Sequence, residues 1–403
     1  MSETRPVRLL LATLGSRGDV EPFLWLARAA EDAGHTVRIA LPDSAEIDTD
    51  GLDAVSLGIS FADLAESLGG GPITAMRGFR ERIRPAMSRA LATAADLAVE
   101  WQPQVILAHP KVLTAPVAAA RLGVPWLSAE LTPTLTPTRD FPAAGIAVGS
   151  LGPVLNRLSY RAVGLAAAMF ASDVKAARQR LGIAVGTSPP PEGTLAAFSP
   201  TLVPRPSDWP ESTQLTGDWH GPDGRNELAG PLQEFLADPR PFVYAGFGSM
   251  TGGNAAARAE AILAGARGLG LRVLFATGWG AVRPPADAGE DVLVAVSVPH
   301  GAVLPRAAVA IHHGGAGTVH ASTRAGTPSV VVPFLADQPF WAAQLERIGL
   351  SGPPLHRERL DPAGVGAAIG AAMARAERVR HAAEQMSAEH GTETALTHIL
   401  KSI

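Results

Sequence analysis

Ala310-Ile-His-His-Gly-Gly-Ala-Gly-Thr-Val-His320 is the stretch that decides the fold, with Pro333-Phe-Leu-Ala-Asp-Gln-Pro339 following it. A short apolar run feeds paired glycines and a Thr at the start of a predicted helix. Free backbone N–H groups and the positive end of a helix dipole gather at such a turn, and together they bind phosphate. Strand, glycine turn and helix in succession are also the repeating step of a parallel sheet covered on both faces. Further on, Asp337 and Gln338 supply an acceptor and a donor for vicinal sugar hydroxyls. Phosphate and sugar would then share one pocket, which points to a nucleotide diphosphate carrying a sugar.

The same step recurs outward from this stretch. Residues 7–14 read as a buried strand, 15–18 as a tight loop, 20–33 as a helix and 36–41 as a second strand. The plan restarts at 241–249, with a loop through 253, an Ala-rich helix to 268 and a strand at 272–276. Further strands are expected at 105–108 and 124–128 in the first half, and at 292–296, 309–311 and 329–332 in the second. Alternation of this kind predicts two doubly wound parallel sheets. Between the halves, residues 199–223 carry five prolines, which favours an extended connector over a helix. The expected division is a first domain over 1–214, a linker over 215–232, a second domain over 233–384 and a terminal helix over 385–403. Two such domains face each other across a cleft at the carboxyl ends of their strands, where ligands of open α/β sheets bind.

Composition agrees with two domains, because 403 residues exceed the roughly 250 to 300 that one core supports. Lys and Arg number 34 against 38 Asp and Glu, giving a net charge of -4 and no footprint for nucleic acid or an anionic membrane. Small-molecule partners are expected instead. The absence of cysteine rules out disulfides and thiolate metal sites. No apolar run reaches the roughly 18 to 20 residues of a spanning helix, and the N-terminus lacks a signal pattern, so a cytoplasmic protein is expected.

Individual residues carry the chemistry. Asp19, in Gly15-Ser-Arg-Gly-Asp-Val20, either caps the first helix or faces the cleft as a general base, and both readings stand on sequence alone. The small residues of Gly246-Phe-Gly-Ser249 would let backbone and the Ser249 hydroxyl approach a phosphate. Trp279, between Gly278 and Gly280, would stack on a nucleobase or close the domain core. Of the two histidines, His313 is assigned to a phosphate oxygen and His312 to a buried, backbone-bonded role. Gly315-Ala-Gly317 continues to His320, so the dinucleotide fingerprint is incomplete, and there is no G-K-[ST] phosphate loop. Asp48-Thr-Asp50 is set aside as a chance match to a metal-binding sugar-nucleotide motif. No metal and no cofactor are expected.

At these residues the chain resembles nucleotide-sugar glycosyltransferases of the GT-B fold, above all the actinobacterial enzymes that act on vancomycin-group aglycones, and the sterol glucosyltransferases. The matching stretches are 14–22, 246–249, 312–318, 324–328 and 336–339. The resemblance implies Asp19 as the base that deprotonates the acceptor. It implies Trp279 and the backbone of Val298 on uracil or thymine. Ser249, His313 and the backbone of Gly315, Gly317 and Thr318 would hold the diphosphate, and Asp337 and Gln338 the sugar. A UDP- or dTDP-hexose donor, glucose by preference, and an inverting displacement follow. The stretches 64–84 and 131–150 match no pattern. With Ser16, Arg17 and Phe141 they are expected to line the acceptor half, where their Leu, Phe and Pro content suits a bulky apolar aglycone such as a polyketide, glycopeptide or sterol. The helix near 392–403 would cross back onto the first domain. A nucleotide-sugar 2-epimerase on the same fold and a non-catalytic activator of another transferase are the rival readings.

Overall fold

In both halves the central strands are short and buried on their two faces, the pattern of parallel sheets sandwiched by helices. The computed structural model describes residues 5–43, 47–65, 76–184, 186, 189–221 and 230–403. Among these, the first half forms a seven-stranded sheet from β1 (Arg8–Ala12), β2 (Thr36–Asp43), β3 (Ala54–Ser60), β4 (Val105–Ala108), β5 (Trp126–Glu130), β6 (Gly193–Ala196) and β7 (Thr213–Leu215). The second forms a five-stranded sheet from β8 (Phe242–Gly246), β9 (Arg272–Ala276), β10 (Val292–Ala295), β11 (Val309–His312) and β12 (Ser329–Val331). The orders are β3-β2-β1-β4-β5-β6-β7 and β10-β9-β8-β11-β12, with every pairing parallel.

Alternation along each strand sends side chains to opposite faces. Leu9 and Leu11 join Phe23 and Leu26 of the helix Arg17–Asp32 on one face, while Leu10 and Ala12 meet Ala90 and Leu91 on the other. Val243 and Phe275 face Ile262, whereas Tyr244 and Leu274 face Val303 and Leu304. In each sheet the strand order reverses at one place, between β1 and β4 and between β8 and β11. Connections leave those two strands in opposite directions, so a crevice opens at their carboxyl ends.

Three strands escape the sequence pattern. β3 carries Gly58, while β6 and β7 span four and three residues. The described part of the Pro-rich stretch, 199–221, holds no helix, as expected; it contributes β7 and packs against the second half. Leu202, Val203 and Trp209 bury into one cluster with Val331, Trp341, Leu345 and Met386 of the second half. Polar groups hold the same joint, with Ser199 N–H donating to His320 Nε2 at 3.1 Å and Gln344 Nε2 to the Leu202 carbonyl at 2.6 Å. The helix Gly391–Lys401 returns to the first domain, placing Ala395, Leu396 and Ile399 in the cluster of Val20, Phe23 and Leu26. Part of the expected acceptor stretch, 66–75, and of the linker, 222–229, lies outside the described residues.

Candidate active site

The turn after β1 sets the position of Asp19. Ser16 is the N-cap of the helix Arg17–Asp32, and Asp19 is its third residue, so its carboxylate reaches back to the cap: Ser16 N–H donates to Oδ2 at 2.8 Å. Thr13 Oγ1 donates to the Asp19 carbonyl at 2.6 Å. Gly15, at φ +146°, leaves the space this carboxylate fills, since a Cβ there would overlap it. The other oxygen, Oδ1, faces the loop after β4, where Lys111 Nζ lies at 2.9 Å and His109 Nε2 at 3.2 Å. One oxygen of Asp19 thus serves the helix start while the other is held by the β4 loop.

Burial alone would raise the pKa of Asp19, but the Lys111 ammonium and then His109 outweigh it and hold the carboxyl well below the usual carboxylate range. His109 is shifted down by its own burial, against the pull of Asp19. Its Nδ1 accepts the Lys111 backbone N–H at 3.2 Å, which assigns the ring proton to Nε2 and makes His109 a donor to Asp19. Sequence reasoning missed both partners. The available signal was positional: His109-Pro-Lys111 are the first polar residues after a strand that adjoins β1 at the reversal of strand order.

Across the cleft, the loops after β8, β9 and β11 interlock. Trp279 N–H donates to the Gly248 carbonyl at 3.1 Å, and a Cβ on Gly248 would lie 3.3 Å from His313 Cε1. Ser249 stands in the first of these loops, half-buried, beside Met250. Val298 follows β10 and packs beside Tyr244. His312 is fully buried, accepting the Gly314 N–H on Nδ1 at 3.1 Å and bonding Ser329 through Nε2 at 2.9 Å, which is a structural role. His313 differs: its Nδ1 is buried without a protein partner among the described residues, and burial pushes the ring down to about 4, so it is neutral at pH 7. A buried nitrogen without a partner beside glycine turns is the kind a ligand satisfies.

Gly315 is the N-cap of the helix Ala316–Arg324, whose first N–H groups, on Ala316, Gly317 and Thr318, have no intrahelical carbonyl within reach. Asp337 stands at the start of the helix Gln338–Arg347 next to it, and its side chain accepts Trp341 Nε1–H at 3.0 Å instead of capping the backbone. Burial raises the Asp337 carboxyl to about 6, and Asp19 pushes it the same way, so the two carboxylates sense each other across the cleft. Gln338 is turned inward: its Oε1 accepts the N–H groups of Phe334 at 2.7 Å and Leu335 at 3.0 Å, and its Nε2 meets Met250 Sδ. Between them Ala336 holds φ +56°, a left-handed backbone that a side chain resists and that concentrates at functional loops.

Of the residues placed on the acceptor side, Ser16 is spent on the helix start. Arg17 pairs with Glu21 at 2.6 Å, and its charge reaches Tyr244 and His300 of the second domain. Phe141 packs edge-on against Phe340 at 5.4 Å, in the joint between the halves. The arrangement thus sets a carboxylate from one domain, Asp19, near a second carboxylate, Asp337, from the other.

Known proteins resemble the chain in sequence and fold. Residues 285–403 match the family model described as Erythromycin biosynthesis protein CIII-like, C-terminal domain. The chain is 32% identical to O-mycaminosyltylonolide 6-deoxyallosyltransferase of Streptomyces fradiae, with 96% of each chain covered. It is 33% identical to vancomycin aglycone glucosyltransferase of Amycolatopsis orientalis, with 85% of each covered. The solved glycotransferase of kitacinnamycin shares the fold, with a TM-score of 0.74 at 21% identity over 99% of this chain and 100% of that one. Identity sustained along nearly the whole chain, on two facing parallel-sheet domains, makes this protein a member of the natural-product glycosyltransferases of the GT-B fold.

Proposed function

We propose that this glycosyltransferase moves a hexose, glucose by preference, from a UDP- or dTDP-sugar to a hydroxyl of a bulky apolar aglycone, by one inverting displacement without a bound metal. The observation that carries the proposal is the nearness of two carboxylates from different domains: Asp19, after β1 at the reversal of strand order, and Asp337, after β12, whose carboxyl the Asp19 charge helps to raise. The acceptor oxygen attacks the anomeric carbon opposite the diphosphate. The carbon–oxygen bond to phosphate breaks, the diphosphate leaves with the electron pair, and the acceptor proton passes to Asp19. Proton transfer to Asp19 comes late, when bond formation has already made the hydroxyl acidic. Charge developing on the leaving diphosphate meets the N–H groups of Gly315, Gly317 and Thr318 with Ser249 and the neutral His313, donors oriented before the reaction begins. Trp279 stacks on the base, with the Val298 backbone at its edge. Asp337 accepts from sugar hydroxyls, and Gln338 serves the sugar by holding the 334–337 loop in shape.

Thermal unfolding in excess EDTA with UDP, dTDP, UDP-glucose or NAD tests the donor side. Nucleotide at about 100 times its dissociation constant adds about 2.7 kcal/mol of stability. Stabilisation by UDP or dTDP, followed by transfer with inverted anomeric configuration in an aglycone screen, is the expected result. A response to NAD alone, or conversion of the donor to its C2 epimer without any acceptor, would overturn the proposal.

A further inference from the structure

Asp19 has no oxygen to spare. Oδ2 accepts Ser16 N–H at 2.8 Å with the Ser16 hydroxyl at 3.3 Å, and Oδ1 accepts Lys111 at 2.9 Å and His109 at 3.2 Å. A general base needs a lone pair directed at the proton it takes. The Ser16 N–H belongs to the helix start, and His109 is buried with its second nitrogen bonded to the Lys111 backbone, so neither can withdraw without unmaking the fold around it. Lys111 can. Its side chain is 46% exposed, and its ammonium ends a flexible four-carbon stem.

We infer that Lys111 guards the base: while the acceptor site is empty its ammonium occupies the Asp19 oxygen that receives the proton, and an entering acceptor displaces it. This role rests on the glycosyl-transfer proposal above. Its consequence is a barrier to wasteful hydrolysis. Water attacking the anomeric carbon would have to give its proton to Asp19 as the diphosphate departs with the electron pair, and an oxygen held by an ammonium does not take it. A large aglycone moves the stem aside and gains the same oxygen. The ionisable groups facing Asp19 are His109 and Lys111 from the β4 loop and Asp337 from the opposite domain.

Lys111→Met keeps the stem and removes the charge, whereas Lys111→Arg keeps a cation. Two readouts separate the parts of the inference. The first is hydrolysis of UDP-glucose and dTDP-glucose without acceptor. The second is titration of the Asp19 carboxyl carbon by NMR in the acceptor-free protein. Removing an opposite charge at this range moves a carboxyl by about 1 to 3 pH units, so Lys111→Met is expected to titrate Asp19 at higher pH and to hydrolyse donor about tenfold faster than the parent. Lys111→Arg is expected to stay within about twofold of the parent. An unmoved Asp19 titration overturns the pairing itself. A moved titration with unchanged or slower hydrolysis overturns the guard role. A parent inert toward every donor and aglycone removes the glycosyl-transfer proposal and the guard with it, whereas a parent that transfers normally beside an unaltered Lys111→Met removes only the guard.

Discussion

A carboxylate between an ammonium and an imidazole N–H is a stable anion before it is a base, and both properties of Asp19 are measurable. Its folded pKa lies below the unfolded value of about 3.9, so its contribution to stability is complete above that pH and is lost as pH falls below it. Asp19→Asn keeps the shape and the contact to the Ser16 N–H but cannot take a proton. Transfer is expected to fall by about 10²- to 10⁴-fold while nucleotide affinity by calorimetry stays near the parent value. Unimpaired transfer would leave Asp19 with the cap alone. Asp337 behaves oppositely. Raised to about 6, it stabilises the fold below the unfolded carboxyl range and loses that contribution as pH rises through 6, yet only the ionised form accepts from sugar hydroxyls. Affinity for the nucleotide sugar is therefore expected to weaken as pH drops through about 6, with no such step for the bare nucleotide diphosphate; Asp337→Asn should abolish the step, and its survival would assign the titration elsewhere.

At the level of elements, the strand, turn and helix steps were legible because short apolar runs end in glycine turns, which carry Asp19, Ser249 and His313, or in the proline that leads to Asp337. The short β6 and β7 were not, since three or four residues beside prolines show no period. The inward turn of Gln338 was also hidden, because an amide that bonds the backbone at 334 and 335 looks the same in sequence as one that meets a sugar. His109 and Lys111 became visible only when the strand order set β4 beside β1. Steric need for glycine is equally silent. Gly315 has φ −64°, which any residue adopts, but a Cβ there would lie 2.5 Å from His313 Nε2. Gly315→Ala is therefore expected to displace His313 and weaken diphosphate binding by about tenfold, the equivalent of one hydrogen bond, with little change in Tm. Calorimetry with UDP and dTDP checks this, and unchanged affinity would remove His313 from the diphosphate site.

On the scale of the whole molecule, the chain passes between domains twice, and the two crossings lie side by side: a Cβ on Gly217 would sit 3.3 Å from Gly391 Cα. The second crossing ends in the helix Gly391–Lys401, which covers the outer face of the helix that carries Asp19. Ile399 is fully buried there with Phe23 and Leu26, far in sequence from the donor-side turns. Truncating a buried Ile to Ala costs about 2 to 5 kcal/mol, from lost transfer energy and the cavity left behind. Because that cavity opens in the first domain, Ile399→Ala is expected to lower the unfolding temperature of that domain first, while UDP or dTDP still protects the second domain. Differential scanning calorimetry with and without nucleotide separates the two. A single transition, shifted as a whole and equally protected by nucleotide, would mean that the shared joint of Phe198, Trp209 and Trp341 binds the domains into one cooperative unit.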